Sequence, residues 1–118
     1  MRDRRQFGKA IVETQGLQWM LADMAKDIAA ARALAERAAL LIDHNKPATA
    51  AATIAKCFAS DMAVTQTANA VQIFGGSGYI RGFEVERLYR DVKITQIYEG
   101  ANQIQRTVIA KELIKGSV

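Results

Sequence analysis

The chain has 118 residues, 50% of them hydrophobic and 24% charged, with a formal net charge of +4. That is room for one domain, and the composition suits a packed, soluble one and not a disordered tail. Acidic residues interleave with the basic ones and no basic patch carries aromatics, so the charge excess fits an anionic small molecule better than nucleic acid. No run of about 18 apolar residues exists to span a membrane, and no apolar signal-peptide core follows the basic start. An intracellular protein is expected. The single Cys57 has no internal disulfide partner and reads as a small buried hydrophobe.

The first long segment runs from about Ile11 to His44. Leu17, Leu21, Met24, Ile28, Ala31, Ala35, Ala38 and Ile42 recur at alternating spacings of four and three. That is a helical stripe close to a heptad seam, and it predicts packing against another helix. Asp23, Lys26, Asp27, Arg32, Glu36 and Arg37 lie off the stripe and are expected in solvent. Asp43-His44-Asn45-Lys46-Pro47 ends the helix, because Asn tolerates the left-handed conformation and Pro suits the first turn of a new helix. A second helix is predicted from Pro47 to Phe74, with Ile54, Phe58, Met62, Val71 and Phe74 as core candidates. The short connection makes the pair antiparallel.

Gly75-Gly76-Ser77-Gly78 stops the second helix. A short helix is expected over Glu84–Val92, and a last one from Gly100 to about Lys115 with Ile104, Val108, Ile109 and Leu113 as its apolar contacts. No strand pattern is convincing; Ile94–Tyr98 is the best of a weak field. The fold class is all-α, an up-down bundle resembling a four-helix bundle.

Few residues suit metal or nucleophilic chemistry. His44 is the only histidine, it sits in a helix-breaking turn, and no acidic residue lies three before it. Zinc and di-iron sites are therefore not expected, nor is a Cys57–His44 pair. The Gly76-Ser77-Gly78 run follows a helix, and the next glycine comes one residue too late for a dinucleotide fingerprint. Adjacent glycines still allow close approach of backbone N–H groups to a phosphate.

Four segments, in order, carry a resemblance. Arg4-Arg5-Gln6-Phe7-Gly8, followed by Gln15, resembles an Arg-x-x-Phe-Gly motif. Gln72-Ile73-Phe74-Gly75-Gly76 resembles a Gln-x-x-Gly-Gly motif. Glu86-Arg87-Leu88-Tyr89-Arg90-Asp91 resembles a Glu-Arg-x-x-Arg-Asp block, and Ile97-Tyr98-Glu99-Gly100-Ala101-Asn102-Gln103-Ile104-Gln105-Arg106 an Ile-Tyr-Glu-Gly-Thr-x-x-Ile-Gln-Arg block. Together they resemble the C-terminal helical domain of the FAD-dependent acyl-CoA dehydrogenases over essentially the whole chain.

That resemblance implies oxidation of a fatty acyl-CoA thioester to the trans-2-enoyl-CoA, with electrons passing on to an electron-transfer flavoprotein. It implies that Glu99 is the base that takes the α-proton, with Tyr98 and Gly100 beside the substrate. Such a base must be close to its proton and poorly solvated. Arg4, Gln6 and Phe7 match a segment that reaches the FAD of a neighbouring subunit, and Gln15 a cofactor-contacting helix start. Gln72, Gly75 and Gly76 match a contact to its adenosine diphosphate part. Ala101 and Gln103 match positions on the flavin side, Ala101 without the usual threonine hydroxyl. Glu86, Arg87, Arg90 and Asp91 read as structural ion pairs, and Arg106 and Lys111 as surface residues. The resemblance further implies a dimer of dimers, in a bacterial cytoplasm or alternatively a mitochondrial matrix. An N-terminal helical domain and a middle β domain would precede this segment, and the 118 residues by themselves are expected to be inactive. The alternative is a non-catalytic helical oligomerisation module derived from the same family.

Overall fold

The computed structural model describes residues 4–116. Two long helices form its spine, α1 (Gln15–Asp43) and α2 (Thr49–Phe74). At 1.5 Å per residue they run roughly 40 Å each, along a body measuring 57 × 25 × 24 Å. The connection turns at Asn45, whose φ of 53° is the left-handed conformation expected of it. Lys46 N–H closes the turn on Leu41 O at 2.8 Å. The exposed His44 imidazole lies 2.7 Å from Leu40 O, at the helix end. Pro47 falls just before α2, whose N-cap is Ala48, and not within its first turn.

The seam between these helices is half as expected. Leu17, Leu21, Met24, Ala31 and Ala38 are buried or half-buried as expected, but further along the alternate positions are Asp27, Leu34 and Leu41, one residue earlier than Ile28, Ala35 and Ile42. Ile28 and Ile42 point outward, 49% and 60% exposed. Asp27 takes its seam position because Gln66 Nε2 on α2 donates to its Oδ2 at 2.7 Å, which satisfies the carboxylate that burial would otherwise penalise.

α2 is the central helix, with neighbours along both flanks. Ala51, Thr53, Ala55, Cys57, Ser60 and Ile73 are buried in it, and the small size of all but Ile73 lets other helices approach closely. Of the expected core residues, Ile54, Met62 and Val71 are half-buried, whereas Phe58 and Phe74 are exposed. Gly75, with φ of 61°, ends the helix. The chain does not stay irregular there: Gly76–Tyr79 makes one further helical turn, α3. Gly78 packs so tightly that a Cβ would stand 2.6 Å from Phe74 Cβ.

α4 (Glu84–Val92) and α5 (Asn102–Ile114) also pack against α2. Phe83 meets Phe74 edge to face, ring centroids 6.4 Å apart. Arg87 pairs with the exposed Glu84 and Asp91, and Arg90 with the half-buried Glu86, as the ion-pair reading requires. Ile94–Tyr98 is no strand; Lys93–Gln96 forms a 3-10 turn. Val108 and Ile109 of α5 are half-buried, but Ile104 and Leu113 are exposed. The strands lie elsewhere, as a two-residue hairpin of β1 (Arg5–Gln6) and β2 (Lys9–Ala10) turned by Phe7 and Gly8. The hairpin is too short for its alternation to register in the sequence.

Candidate functional site

Glu99 sits on the turn between the 3-10 segment and α5. Ile97 and Tyr98 N–H groups both donate to Ile94 O, at 2.9 and 3.0 Å, and close the turn before it. Glu99 then takes φ of 53° and Gly100 φ of 92°, before Ala101 returns to extended backbone as the N-cap of α5. Left-handed backbone costs a residue with a Cβ roughly 1–2 kcal/mol, so something must hold Glu99 there. Gln105 Nε2, on the first turns of α5, donates to Glu99 O at 3.0 Å and to Gly100 O at 3.3 Å. Lys56 Nζ, from α2, donates to Gly100 O at 2.8 Å. The Glu99 side chain is exposed, so these residues do not themselves supply the dry surroundings expected of a base.

Beneath the turn lies a buried polar cluster that sequence reasoning missed. Asn102, 2% exposed, is the most buried polar residue described. Its Oδ1 accepts from Lys56 Nζ at 2.7 Å. Its Nδ2 donates to Ser60 Oγ at 2.8 Å and to Asp61 Oδ1 at 2.7 Å. Asp61 Oδ1 also accepts from Gln96 Nε2 at 2.6 Å, and Arg106 pairs with Oδ2. Arg106 is thus no idle surface charge. Burial works to raise the Asp61 carboxyl pKa, but the hydrogen bonds from Asn102, Gln96 and Arg106 and the Arg106 charge outweigh it and hold the group below its ordinary 3.8. The only trace of this cluster in the sequence is a set of polar residues, Lys56, Ser60 and Asp61, in an alanine-rich helix.

Two hollows flank the turn. One, about 240 Å³, is lined by Tyr98, Thr95, Lys56, Ala59 and Ala63. The other, about 320 Å³ and polar, is lined by Ala101 and Gln103 together with Lys93, Gln96 and Arg106. Tyr98, Glu99, Gly100, Ala101 and Gln103 are therefore brought together around one turn.

The remaining sequence-predicted residues gather at the far end of α2. From Ser60 to Gly75 the helix advances about 15 residues, roughly 22 Å, so they do not join Glu99 within one chain. Arg4 Nη1 donates to Phe74 O at 2.8 Å and lies over Gly75, 3.4 Å from where its Cβ would stand. The guanidinium caps the open carbonyl end of α2, which is more than a stray terminal charge would do. Gln72 and Gly76 are exposed beside it, and a Cβ at Gly76 would meet nothing within 4 Å. Because α1 runs antiparallel to α2, Gln15 at its first residue lies at this end too. Gln6 is exposed in β1, and Phe7, with φ of 53°, is 102% exposed at the hairpin tip and no part of a core.

Fold and site together define a class: an all-α bundle domain whose candidate site residues stand on turns at helix ends and not in a closed pocket. Among the described residues no cluster of histidine, cysteine and carboxylate groups could hold a metal ion, and no helix is long and apolar enough to cross a membrane. The family model for the acyl-CoA dehydrogenase C-terminal domain matches residues 1–114. The chain is 52% identical over 114 residues to cyclohexane-1-carbonyl-CoA dehydrogenase of Geobacter metallireducens, covering 97% of this chain and 30% of that protein. Butyryl-CoA dehydrogenase from Megasphaera elsdenii superposes with a TM-score of 0.94 at 48% identity, over 96% of this chain and 30% of that one. The FAD complex of PigA matches with a TM-score of 0.92 at 30% identity, over 98% and 30%. The chain belongs to the acyl-CoA dehydrogenase family and corresponds to its C-terminal domain. It spans about 30% of the length of the relatives it matches.

Proposed function

We propose that this domain works within an FAD-dependent acyl-CoA dehydrogenase that converts a fatty acyl-CoA to the trans-2-enoyl-CoA, and that Glu99 is the base that takes the α-proton. The observation that carries this reading is the Glu99 turn. A carboxylate stands on left-handed backbone, and side chains from two different helices hold both of the carbonyls that follow it. Backbone strain maintained by specific contacts tends to gather at functional sites. A scaffold alone has no need of it.

In this reading Glu99 accepts the proton from the carbon beside the thioester carbonyl; bound FAD would supply the acceptor for the β-hydrogen, which leaves as hydride. Tyr98 walls the substrate on one side and Gly100 leaves space for the thioester. Water is excluded from Glu99 by the surfaces that close over the turn, which the N-terminal helical and middle β domains of the whole protein would supply. Ala101 and Gln103 border the flavin side, with no hydroxyl at Ala101.

The donor set at the far end of α2 fits the anionic part of the cofactor. Arg4 contributes a cation with only part of its guanidinium engaged, Gln72 an exposed amide, Gly75 the turn beneath that guanidinium, and Gly76 open backbone. Such groups suit a diphosphate. Gln6, Phe7 and Gln15 extend the same edge. With roughly 22 Å of helix between them and Glu99, these residues serve the FAD of a neighbouring subunit, in a dimer of dimers. Electrons leave to an electron-transfer flavoprotein, and the compartment is the bacterial cytoplasm.

The test is the visible spectrum of the complete assembled protein. It should be yellow and bleach on addition of acyl-CoA, and Glu99→Gln should abolish bleaching while retaining the flavin. Bleaching that persists in the variant removes Glu99 from the mechanism, and a colourless assembly favours a purely oligomerising module.

A further inference from the structure

We propose that Lys56 is a positioning residue for Glu99, acting with Gln105 and Asn102 to fix the direction in which the carboxylate is presented. The proposal rests on Glu99 being the base. Two consecutive peptide carbonyls, those of Glu99 and Gly100, are each held by a side chain, from α5 and α2 respectively. A turn with φ of 53° at Glu99 and 92° at Gly100 has no regular hydrogen-bond ladder to define it, so these side-chain contacts set its orientation.

Lys56 carries the larger share of the hold. Its ammonium donates to Gly100 O at 2.8 Å and to Asn102 Oδ1 at 2.7 Å. Bonds from a charged donor are the stronger kind. It is in no ion pair among the described residues, so its place is explained by these two neutral oxygens and not by a carboxylate partner. Asn102 is itself locked by Ser60 and Asp61. The chain of contacts therefore runs from the middle of α2, through a buried amide, to the peptide that follows the base. Gly100 fits the arrangement from the other side, since a Cβ there would stand 2.6 Å from Gln105 Nε2.

The experiment uses the complete FAD-loaded enzyme carrying Lys56→Met, Lys56→Arg or Gln105→Leu, with Glu99→Gln alongside. Misplacing a reacting group by about 1 Å costs on the order of 100-fold in rate. Lys56→Met should therefore slow acyl-CoA bleaching by about 10–100-fold, with flavin content and substrate affinity held. Lys56→Arg, which keeps a charged donor, should recover most of the rate. A second readout is amide hydrogen exchange in the flavin-free protein, where Lys56→Met should speed exchange in the peptide covering residues 97–102 and leave α1 unchanged. Wild-type bleaching and exchange in Lys56→Met overturn the proposal, as does a slowing accounted for by weaker substrate binding. If Lys56→Met does not fold, Gln105→Leu decides by the same two readouts. Loss of bleaching in Glu99→Gln beside an unaffected Lys56→Met sinks the positioning role alone. Persistent bleaching in Glu99→Gln sinks the assignment of the base.

Discussion

Asp61 joins a helix to the turn that carries the candidate base, and its protonation state is part of that joint. Burial disfavours its charge, yet Asn102, Gln96 and Arg106 overcome this and depress its pKa below 3.8. A carboxylate with a lowered folded-state pKa stabilises the fold fully above its unfolded value. That contribution is lost as pH falls through the folded value. Thermal melting of the protein between neutral pH and values below 3.8 should therefore show an acid-side loss of stability that Asp61→Asn flattens. Identical acid-side slopes in the two proteins would mean that the cluster is not formed as described. Single residues at this scale were unevenly legible. Glu99, Gly100, Ala101 and Gln103 fall within five residues, on one turn and the helix start that follows it, so reading them in sequence amounted to reading them in space. Asp61 and Lys56 reach their partners across about 40 positions of chain, and no local pattern reports that.

α5 is joined to α2 by polar groups as well as by the half-buried Val108 and Ile109. Ile104 and Leu113, expected to anchor it, are exposed. Asn102, at its first turn, fills the contact instead and satisfies Ser60, Asp61 and Lys56 at once. Removing one member of such a network leaves the others buried without partners, which costs about 1–3 kcal/mol for an uncharged group and more for charged ones. Asn102→Ala should thus destabilise the domain by roughly 2–4 kcal/mol, read as a lower urea midpoint with little change in slope. A midpoint within error of the wild type would show that the amide is replaceable by water. The helices themselves were legible from periodicity and from Asn45, Gly75 and Gly100 at their ends. The rotation of α1 was not. Ile28 and Ile42 are as apolar as Leu34 and Leu41, so apolarity alone does not choose between the two sets, and the seam that forms is the one that brings Asp27 to Gln66.

The whole molecule presents more apolar surface than a self-sufficient monomer usually shows. Ile28, Leu40 and Ile42 of α1, Tyr79 and Ile80 near α3, and Ile104, Leu113 and Ile114 of α5 are all exposed, and no large side chain among those described is fully buried. A helix apolar on two faces needs two partners, and among the described residues the main partner of α1 is α2 alone. Trp19, the single tryptophan, stands 63% exposed and reports on the missing cover. In the isolated domain its emission should be solvent-like when dilute and shift to the blue as concentration rises, in step with self-association by sedimentation. A chain that stays monomeric with unchanged emission would argue that these faces are covered by other domains and not by further copies.

What the amino-acid order determined by itself was local: the presence of the long helices though not their starts at Gln15 and Thr49, the places where Asn45 and Gly75 stop them, the all-α class, and the contiguous motif around Glu99. Each depends on residues within a turn or two of one another. The tertiary structure decided which apolar stripe of α1 faces α2, that Arg4 closes the end of α2 at Gly75, and that Lys56, Asp61 and Asn102 hold the Glu99 turn. Those contacts join residues far apart in the chain, and only the packing of whole helices brings a buried polar group to the partner that makes its burial affordable in free energy.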